Sequence, residues 1–369
     1  MVFLAGAGRK GKVLVAMSGG VDSSVAALLL KEEGYEVHGV TMRLWRDPGS
    51  VRAATDEGNL TPDPGEEAAK VAAAMGIPHR VVDLQDAFYN RVVCNFTGEY
   101  SRGRTPNPCV DCNRSIKFGL LFEEAVTLGF DKLATGHYVR IAQDHPGGKF
   151  RLLKGLDPGK DQSYMLYVLG QQQLKMLLFP LGERSKGEVR GIAEQHNLAV
   201  ANKEESQEVC FIPDNDYRSF VERSCPQAAI PGFIVSGDGE VLGRHRGIAF
   251  YTIGQRKGLG LTTTEPYYVV SIVAEENKIV VGPLEGVFSS GLVAGKLNYI
   301  GGTPPLDSLE IEVKIRYRAP VVTATLVPFP DGTARVFFKE KQKAVSPGQS
   351  AVFYRGEEVL GGGVIESAL

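Results

Sequence analysis

The sequence predicts an α/β protein with an all-β continuation: a doubly wound parallel sheet, then a small β-rich central part, then a C-terminal β-barrel. Three observations predict this order. Apolar strand-like runs alternate with helical patterns through the first half. A Gly/Ser turn joins the first strand to the first helix. From about Ser206, short alternating segments separated by Gly and Pro replace the helices. At 369 residues the chain exceeds one usual core, and 43% apolar content is enough to bury several. The expected division is 1–205, 206–284 and 285–369.

Val13-Leu14-Val15-Ala16 reads as a buried strand, and Val25–Lys31 as a helix closed by Gly34. Glu36–Leu44 is a second strand. Arg46–Gly65, rich in Pro, Gly and Asp, reads as a loop. Glu66–Met75 is helical and is stopped by Gly76 and Pro78; His79–Leu84 is a third strand. Ile116–Leu128 has helical apolar spacing up to Gly129, and Lys132–Tyr138 is a strand and loop. In such sheets ligands sit at the carboxyl ends of the strands, where Ser18, Met42 and Gly136 fall. Gln162–His196 reads as a cluster of helices. Strands are expected at Gly247–Ile253, Tyr267–Val273 and Lys278–Val281. The barrel would take Leu309–Tyr317, Val321–Val327, Ala334–Lys339, Ser350–Tyr354 and Gly363–Glu366.

A net charge of −2 means that no global positive field advertises a nucleic-acid partner, so such binding would rest on local patches. Arg244, His245, Arg246, Arg256 and Lys257 form one candidate patch. Five cysteines in a long chain do not read as a disulfide scaffold and fit a reducing cytoplasm. The apolar stretch within Met1–Lys10 is too short for a signal peptide, and no run approaches the roughly 20 residues that cross a bilayer.

Met17-Ser18-Gly19-Gly20-Val21-Asp22-Ser23-Ser24 carries the strongest chemical signal. A strand, a Gly/Ser turn and a helix N-terminus make an anion site of converging N–H groups. Ser18, Ser23 and Ser24 add hydroxyls, and Asp22 can hold a hydrated Mg²⁺ or cap the helix. No Gly-x-x-x-x-Gly-Lys-Ser/Thr is present, which points to chemistry away from the γ-phosphate. The pattern Ser-Gly-Gly-x-Asp-Ser resembles the PP-loop of ATP pyrophosphatases, which cleave ATP at the α-phosphate.

The second signal is Arg102-Gly103-Arg104-Thr105-Pro106-Asn107-Pro108-Cys109-Val110-Asp111-Cys112-Asn113-Arg114. Cations around a Cys-x-x-Cys, and a helix starting beside Cys112, favour the thiolate. Cys210, between Val209 and Phe211, is a third thiol of interest. On the residues alone, half of a zinc site, a redox pair and, for Cys210, a buried packing thiol all stay open. Cys94 and Cys225 read as packing residues.

With these motifs in order, the chain resembles the bacterial tRNA-specific 2-thiouridylase family from Val13 to the C-terminus. Further matching segments are Ala134-Thr135-Gly136-His137-Tyr138, Lys160-Asp161-Gln162-Ser163-Tyr164, Cys210-Phe211-Ile212, Gly254–Gly260, Arg316-Tyr317-Arg318, Ser346–Tyr354 and Leu360–Gly363. The resemblance implies a sulfurtransferase that uses ATP and Mg²⁺ to adenylate the 2-oxygen of the wobble uridine, U34, in Lys-, Glu- and Gln-type tRNAs. Sulfur then displaces AMP. It implies catalytic roles for Cys112 and Cys210, with Cys210 carrying a persulfide from a cysteine desulfurase or relay protein. Cys112 attacks that persulfide or resolves it as a disulfide. It implies an ATP site at Ala16, Met17, Ser18, Gly19, Gly20, Val21, Asp22, Ser23, Met42 and Gly136. The target base would meet Asn107, Pro108 and Cys109; tRNA would meet His137, Lys160, Asp161, Gln162, Arg316, Tyr317 and Gln349. Many family members carry aspartate where this chain has Cys109. That departure raises a variant in which Cys109, Cys112 and Cys210 hold a [4Fe–4S] cluster with one open iron. The rivals are other PP-loop enzymes with nitrogen nucleophiles, and a non-catalytic tRNA-binding module.

Overall fold

β1 (Lys12–Ala16) is the centre of a parallel sheet because its middle residues are apolar on both faces. Val13, Leu14 and Val15 are fully buried. The computed structural model describes residues 10–45, 64–203, 209–212, 216–262 and 265–369. The chain divides into two compact units: Met1–Tyr89 with Cys112–Phe211, and Asn90–Asp111 with Ile212–Leu369.

In the first unit β1 leads into α1 (Val21–Glu32), followed by β2 (Glu36–Arg43), α2 (Pro64–Ala74) and β3 (His79–Asp83). The unit resumes at Cys112, the last residue of the short helix Pro108–Cys112, and continues through a π-helix, Asn113–Leu120, to Leu121–Thr127. Then come β4 (Lys132–Ala134), an antiparallel hairpin of β5 (Val139–Gln143) and β6 (Phe150–Lys154), and the two-residue β7 (Leu177–Leu178). The sheet order is β3-β2-β1-β4-β7, with every pair parallel. β2 and β4 flank β1 on opposite sides, in register Ala16↔Val40 and Val15↔Ala134. The turn after β1 therefore lies at the topological switch point, where such sheets bind ligands. The expected helices of Gln162–His196 are Ser163–Leu166, Gln171–Met176 and Lys186–Gln195. Ser185 starts the last of these with a reciprocal cap: its Oγ accepts from Glu188 N at 3.2 Å, and the Glu188 carboxylate accepts from Ser185 N at 2.7 Å. α1 and this helix share one core with β1, built around Val13, Val15, Val25, Ala26 and Val189.

The second unit holds two sheets. β8 (Gly232–Val235), β9 (Val241–His245), β10 (Tyr268–Val273) and β11 (Lys278–Gly282) pair in the order β10-β11-β8-β9. β12 (Phe288–Tyr299), β13 (Leu309–Lys314), β14 (Val322–Pro328), β15 (Ala334–Lys343), β16 (Ser350–Arg355) and β17 (Glu358–Ala368) pair in the order β12-β15-β14-β13-β16-β17. β12 also pairs with β17, which closes the barrel. Alternate residues such as Leu292, Val313, Leu326, Val336, Phe353 and Ile365 fill it. The helix Cys94–Ser101 belongs to this unit through aromatic packing: Phe96 meets Phe220 edge-on at 6.1 Å, and Tyr100 stacks on Tyr217 at 6.1 Å.

Several expectations are corrected. Gly247–Ile253 is not a strand; Ile248–Phe250 is a 3₁₀ turn held by Phe250 N–H to Gly247 O and Tyr251 N–H to Ile248 O. Four successive residues, Ile248 to Tyr251, are buried there. β5, β6 and the twelve-residue β12 went unseen, β12 because Ser289, Ser290, Gly291 and Gly295 dilute its alternation. Cys94 is exposed rather than packed, since Val92, Val93 and Phe96 take the buried face of its helical segment. Most of the expected loop Arg46–Gly65, and the boundary near residue 205, lie outside the described residues.

Candidate nucleotide and thiol site

The phosphate-binding turn is held by its own hydroxyls. Ser23 Oγ accepts from Ser18 N–H at 3.1 Å and donates to Gly20 O at 3.2 Å, while Ser24 Oγ donates to the same carbonyl at 2.8 Å. Gly20 is the N-cap of α1, with no side-chain cap. Asp22 therefore does not cap the helix. Instead its Oδ1 accepts from Lys186 Nζ at 2.6 Å and from the Tyr138 hydroxyl at 2.8 Å. Lys186 is nearly enclosed, its side chain 12% exposed. Lys203 donates to Gly19 O at 3.2 Å and pairs with Glu67. Two ammonium groups thus reach the turn from distant chain segments. A third strand-end contact fixes its start: Thr41 Oγ1 donates to Met17 O at 2.7 Å and meets His79 Nε2 at 2.9 Å. Met42 follows at the end of β2, beside Val82 of β3. Gly136 is needed for space: a Cβ there would lie 2.8 Å from Asp22 C and Ser23 N.

The cysteine helix begins at Asn107, whose carbonyl accepts from Val110 N–H at 3.2 Å, with Pro108 at the first helical position. The helix thus starts earlier than expected. Cys109, exposed, lies in its first turn, and Cys112 ends it, 6% exposed, where the π-helix opens. The adjoining Asn113 donates to Met165 O at 3.0 Å, and its buried Oδ1 has no partner among the described residues. Cys210 is exposed, so the packing reading of it is corrected. Its neighbour Phe211 is buried against Phe88 at 5.7 Å and Trp45 at 6.0 Å. Cys112 and Cys210 belong to the same unit as the phosphate turn. Among the described residues no disulfide joins two cysteines, and no group of three His, Cys, Asp or Glu side chains is placed to hold a metal. Cys109 lies in the other unit from Cys112 and Cys210.

Three family models match the chain in series. They are the tRNA methyl transferase HUP domain over residues 11–214, the tRNA methyl transferase PRC-barrel domain over 218–283 and the aminomethyltransferase beta-barrel domain over 289–365. A tRNA-specific 2-thiouridylase MnmA from Carboxydothermus hydrogenoformans is 48% identical over 362 residues, covering 98% of this chain and 99% of that one. MnmA 1 of Caldanaerobacter subterraneus is 50% identical over 355 residues, covering 96% and 98%. MnmA of Geotalea uraniireducens is 48% identical over 366 residues, covering 98% and 96%. The chain belongs to the tRNA-specific 2-thiouridylase family.

Several residues that this family resemblance implies as tRNA contacts have internal partners. Asp161 accepts from Gly155 N at 2.9 Å and Ser163 N at 3.1 Å; Gln162 Oε1 accepts from Tyr138 N at 3.0 Å. Lys160 follows Asp157 in a backbone turn. His137 is half-buried between Phe118 and Phe179, with Nδ1 2.5 Å from Thr135 Oγ1. Desolvation, then the charge of Lys117, pushes its pKa well below the ordinary histidine value. Gln349 donates to the carbonyls of Thr105 at 2.9 Å and Pro106 at 3.3 Å. Arg316 is exposed and Tyr317 half-buried in the turn after β13, with Lys314 Nζ 5.8 Å from the Tyr317 ring. His245 leaves the proposed basic patch: it is buried, its Nε2–H donates to Asn277 O at 2.9 Å, and desolvation lowers its pKa.

Sequence reasoning missed Lys186, Lys203 and Tyr138 as partners of the turn. Tyr138 stood in a quoted motif, but nothing local to either lysine marks it as a loop ligand. The π-helix behind Cys112 also had no visible signal.

Proposed function

We propose that this chain is an ATP-dependent tRNA-uridine 2-sulfurtransferase. The observation that carries the reading is the phosphate turn at a sheet switch point with two cysteines, Cys112 and Cys210, in the same unit. ATP lies with its phosphates on the N–H groups of Ser18–Ser23, and Ala16, Met42 and Gly136 line the nucleoside side. Lys186 and Lys203 supply the positive charge that the turn lacks. The uridine O2 attacks the α-phosphorus and pyrophosphate leaves. Asp22 is the carboxylate that would hold Mg²⁺ together with the phosphates, and the ion would supply charge neutralisation.

A persulfide on Cys210 then adds its outer sulfur to C2, and AMP departs with the former O2. The Cys112 thiolate attacks Cys210 Sγ. The sulfur–sulfur bond breaks, leaving sulfur on the base, and a Cys112–Cys210 disulfide forms that a cellular dithiol must reduce. Asn107, Pro108 and Cys109 receive the extruded base. The exposed cations Arg316 and Arg318 beside Tyr317 suit phosphate contact. His137, Lys160, Asp161 and Gln162 shape the surface on which tRNA rests. The sulfur donor is a cysteine desulfurase or relay protein, and the substrates are the wobble U34 of Lys-, Glu- and Gln-type tRNAs. The parts work as a catalytic domain, 1–205, a central domain, 206–284, and a barrel, 285–369. No described helix is long and apolar enough to cross a membrane, and a cytoplasmic site of action suits a tRNA substrate.

Mass spectrometry of tRNA nucleosides after incubation with ATP and a sulfur donor tests the reading. Wild type should yield 2-thiouridine, and Cys112→Ser and Cys210→Ser none. Methylated uridine formed with S-adenosylmethionine, and no thiolation, would favour the methyltransferase sense of the family-model names. Thiolation by Cys210→Ser would overturn the mechanism.

A further inference from the structure

The segment just ahead of the cysteine helix is fixed by the far end of the chain. Gln349 Nε2 donates to Thr105 O at 2.9 Å and Pro106 O at 3.3 Å, and Thr105 N–H donates to Pro347 O at 2.8 Å. Gly348, at φ +91°, lies against the Thr105 backbone so closely that a Cβ would sit 2.9 Å from its carbonyl oxygen. On the preceding residue, Arg104 donates to Glu366 at 2.8 Å, to Ile365 O at 3.2 Å and to Glu99, itself buried, at 2.6 Å. These bonds engage both backbone groups of Thr105 and a guanidinium one residue away. Two prolines, Pro106 and Pro108, then carry the rigidity through Asn107 to the helix start.

We propose that Gln349 and the Arg104–Glu366 pair are positioning residues: the C-terminal barrel sets the base-receiving loop and Cys109 at the start of the cysteine helix for sulfur transfer. The proposal rests on the 2-thiouridylase reading for its catalytic consequence but not for its structural one. It differs from a tRNA contact at Gln349 because the amide nitrogen is already engaged with protein carbonyls. An amide lost there leaves two carbonyls short of a donor and the loop free to shift.

The test compares Gln349→Ala and Glu366→Gln with wild type in three measurements. These are single-turnover 2-thiouridine formation at saturating tRNA, the tRNA dissociation constant, and the rate at which iodoacetamide alkylates Cys109, mapped by peptide mass spectrometry without tRNA. Gln349→Ala should slow thiolation roughly 100-fold at saturation and alter Cys109 alkylation several-fold, with tRNA affinity within about twofold of wild type. Glu366→Gln, which keeps size and shape, should show the same pattern at smaller amplitude. A weakened tRNA affinity with normal saturated rate and normal alkylation would overturn the proposal and make Gln349 a tRNA contact. Unchanged values throughout would overturn it as well. If wild type made no 2-thiouridine, the function reading would fail, and alkylation alone would still decide the clamp.

Discussion

The phosphate turn and the cysteine segment are built in opposite ways. The turn has an inner frame of its own, Ser18 to Ser23 and Ser23 and Ser24 to Gly20, to which Lys186, Tyr138, Lys203 and Thr41 add contacts from elsewhere in the chain. The cysteine segment is held by partners 244 and 262 residues away, Gln349 and Glu366. The local frame fixes the shape of the turn, whereas the cysteine segment takes its shape from partners brought in by the folding of everything between. The largest expected effects therefore separate the two halves of the reaction. Cys210→Ser should abolish 2-thiouridine while tRNA-dependent pyrophosphate release continues for a single turnover. Loss of both activities together would break the separation, because it would mean that the thiol also shapes the nucleotide site.

Next in size is Lys186→Ala. It removes an ammonium 2.6 Å from Asp22 and beside the turn, so pyrophosphate release should fall by about 100-fold, the usual scale for losing one electrostatic stabiliser. Persulfide loading of Cys210, followed by gel shift with a thiol-reactive probe, should be unaffected. A K186A variant with normal adenylation would show that the turn needs no imported cation.

These two predictions mark where the sequence was legible. The turn, its strand and its helix were readable because every residue that builds them is adjacent in the chain, and the alternating sheet followed from the same local patterns. The barrel was readable from strands with clean alternation, such as Leu309–Lys314, and unreadable at β12, where serines and glycines break the period. The thiols were visible as residues but not as a site. No local feature of Thr105 says that Gln349 reaches it, and none of Lys186 or Lys203 says that they reach Asp22 and Gly19. Such contacts exist only once packing has brought the segments together. Gln162, which meets Tyr138 twenty-four residues away, is a further case, while Asp161 bonds within its own loop.

Gly136→Ala probes the turn through space rather than charge. Its Cβ would press within 2.8 Å of the backbone at Asp22 and Ser23, so α1 must shift or the loop must open. The expected cost is about 1–3 kcal/mol of stability, read by chemical denaturation, with weaker ATP binding by calorimetry. Wild-type values for both would show that the loop after β4 yields easily and that its approach to α1 is not a constraint.

The smallest effect is a pH dependence that comes from one imidazole. His137 sits within the first unit: its Nδ1 meets Thr135, and its ring packs on Phe118 in the π-helix that follows Cys112. Desolvation first, and Lys117 second, hold its pKa well below the ordinary value, so the folded protein keeps it neutral. An unfolded chain protonates that imidazole near pH 6.5. The stability from burying it is therefore complete above about pH 6.5 and drains away as pH falls from there toward the depressed folded value, because only the unfolded state gains the proton. The unfolding midpoint should decline below neutrality, and His137→Asn should flatten that decline, with His79 and His245, both also lowered by desolvation, leaving a residual slope. If the decline is as steep in His137→Asn as in wild type, burial of this imidazole carries no share of the pH dependence.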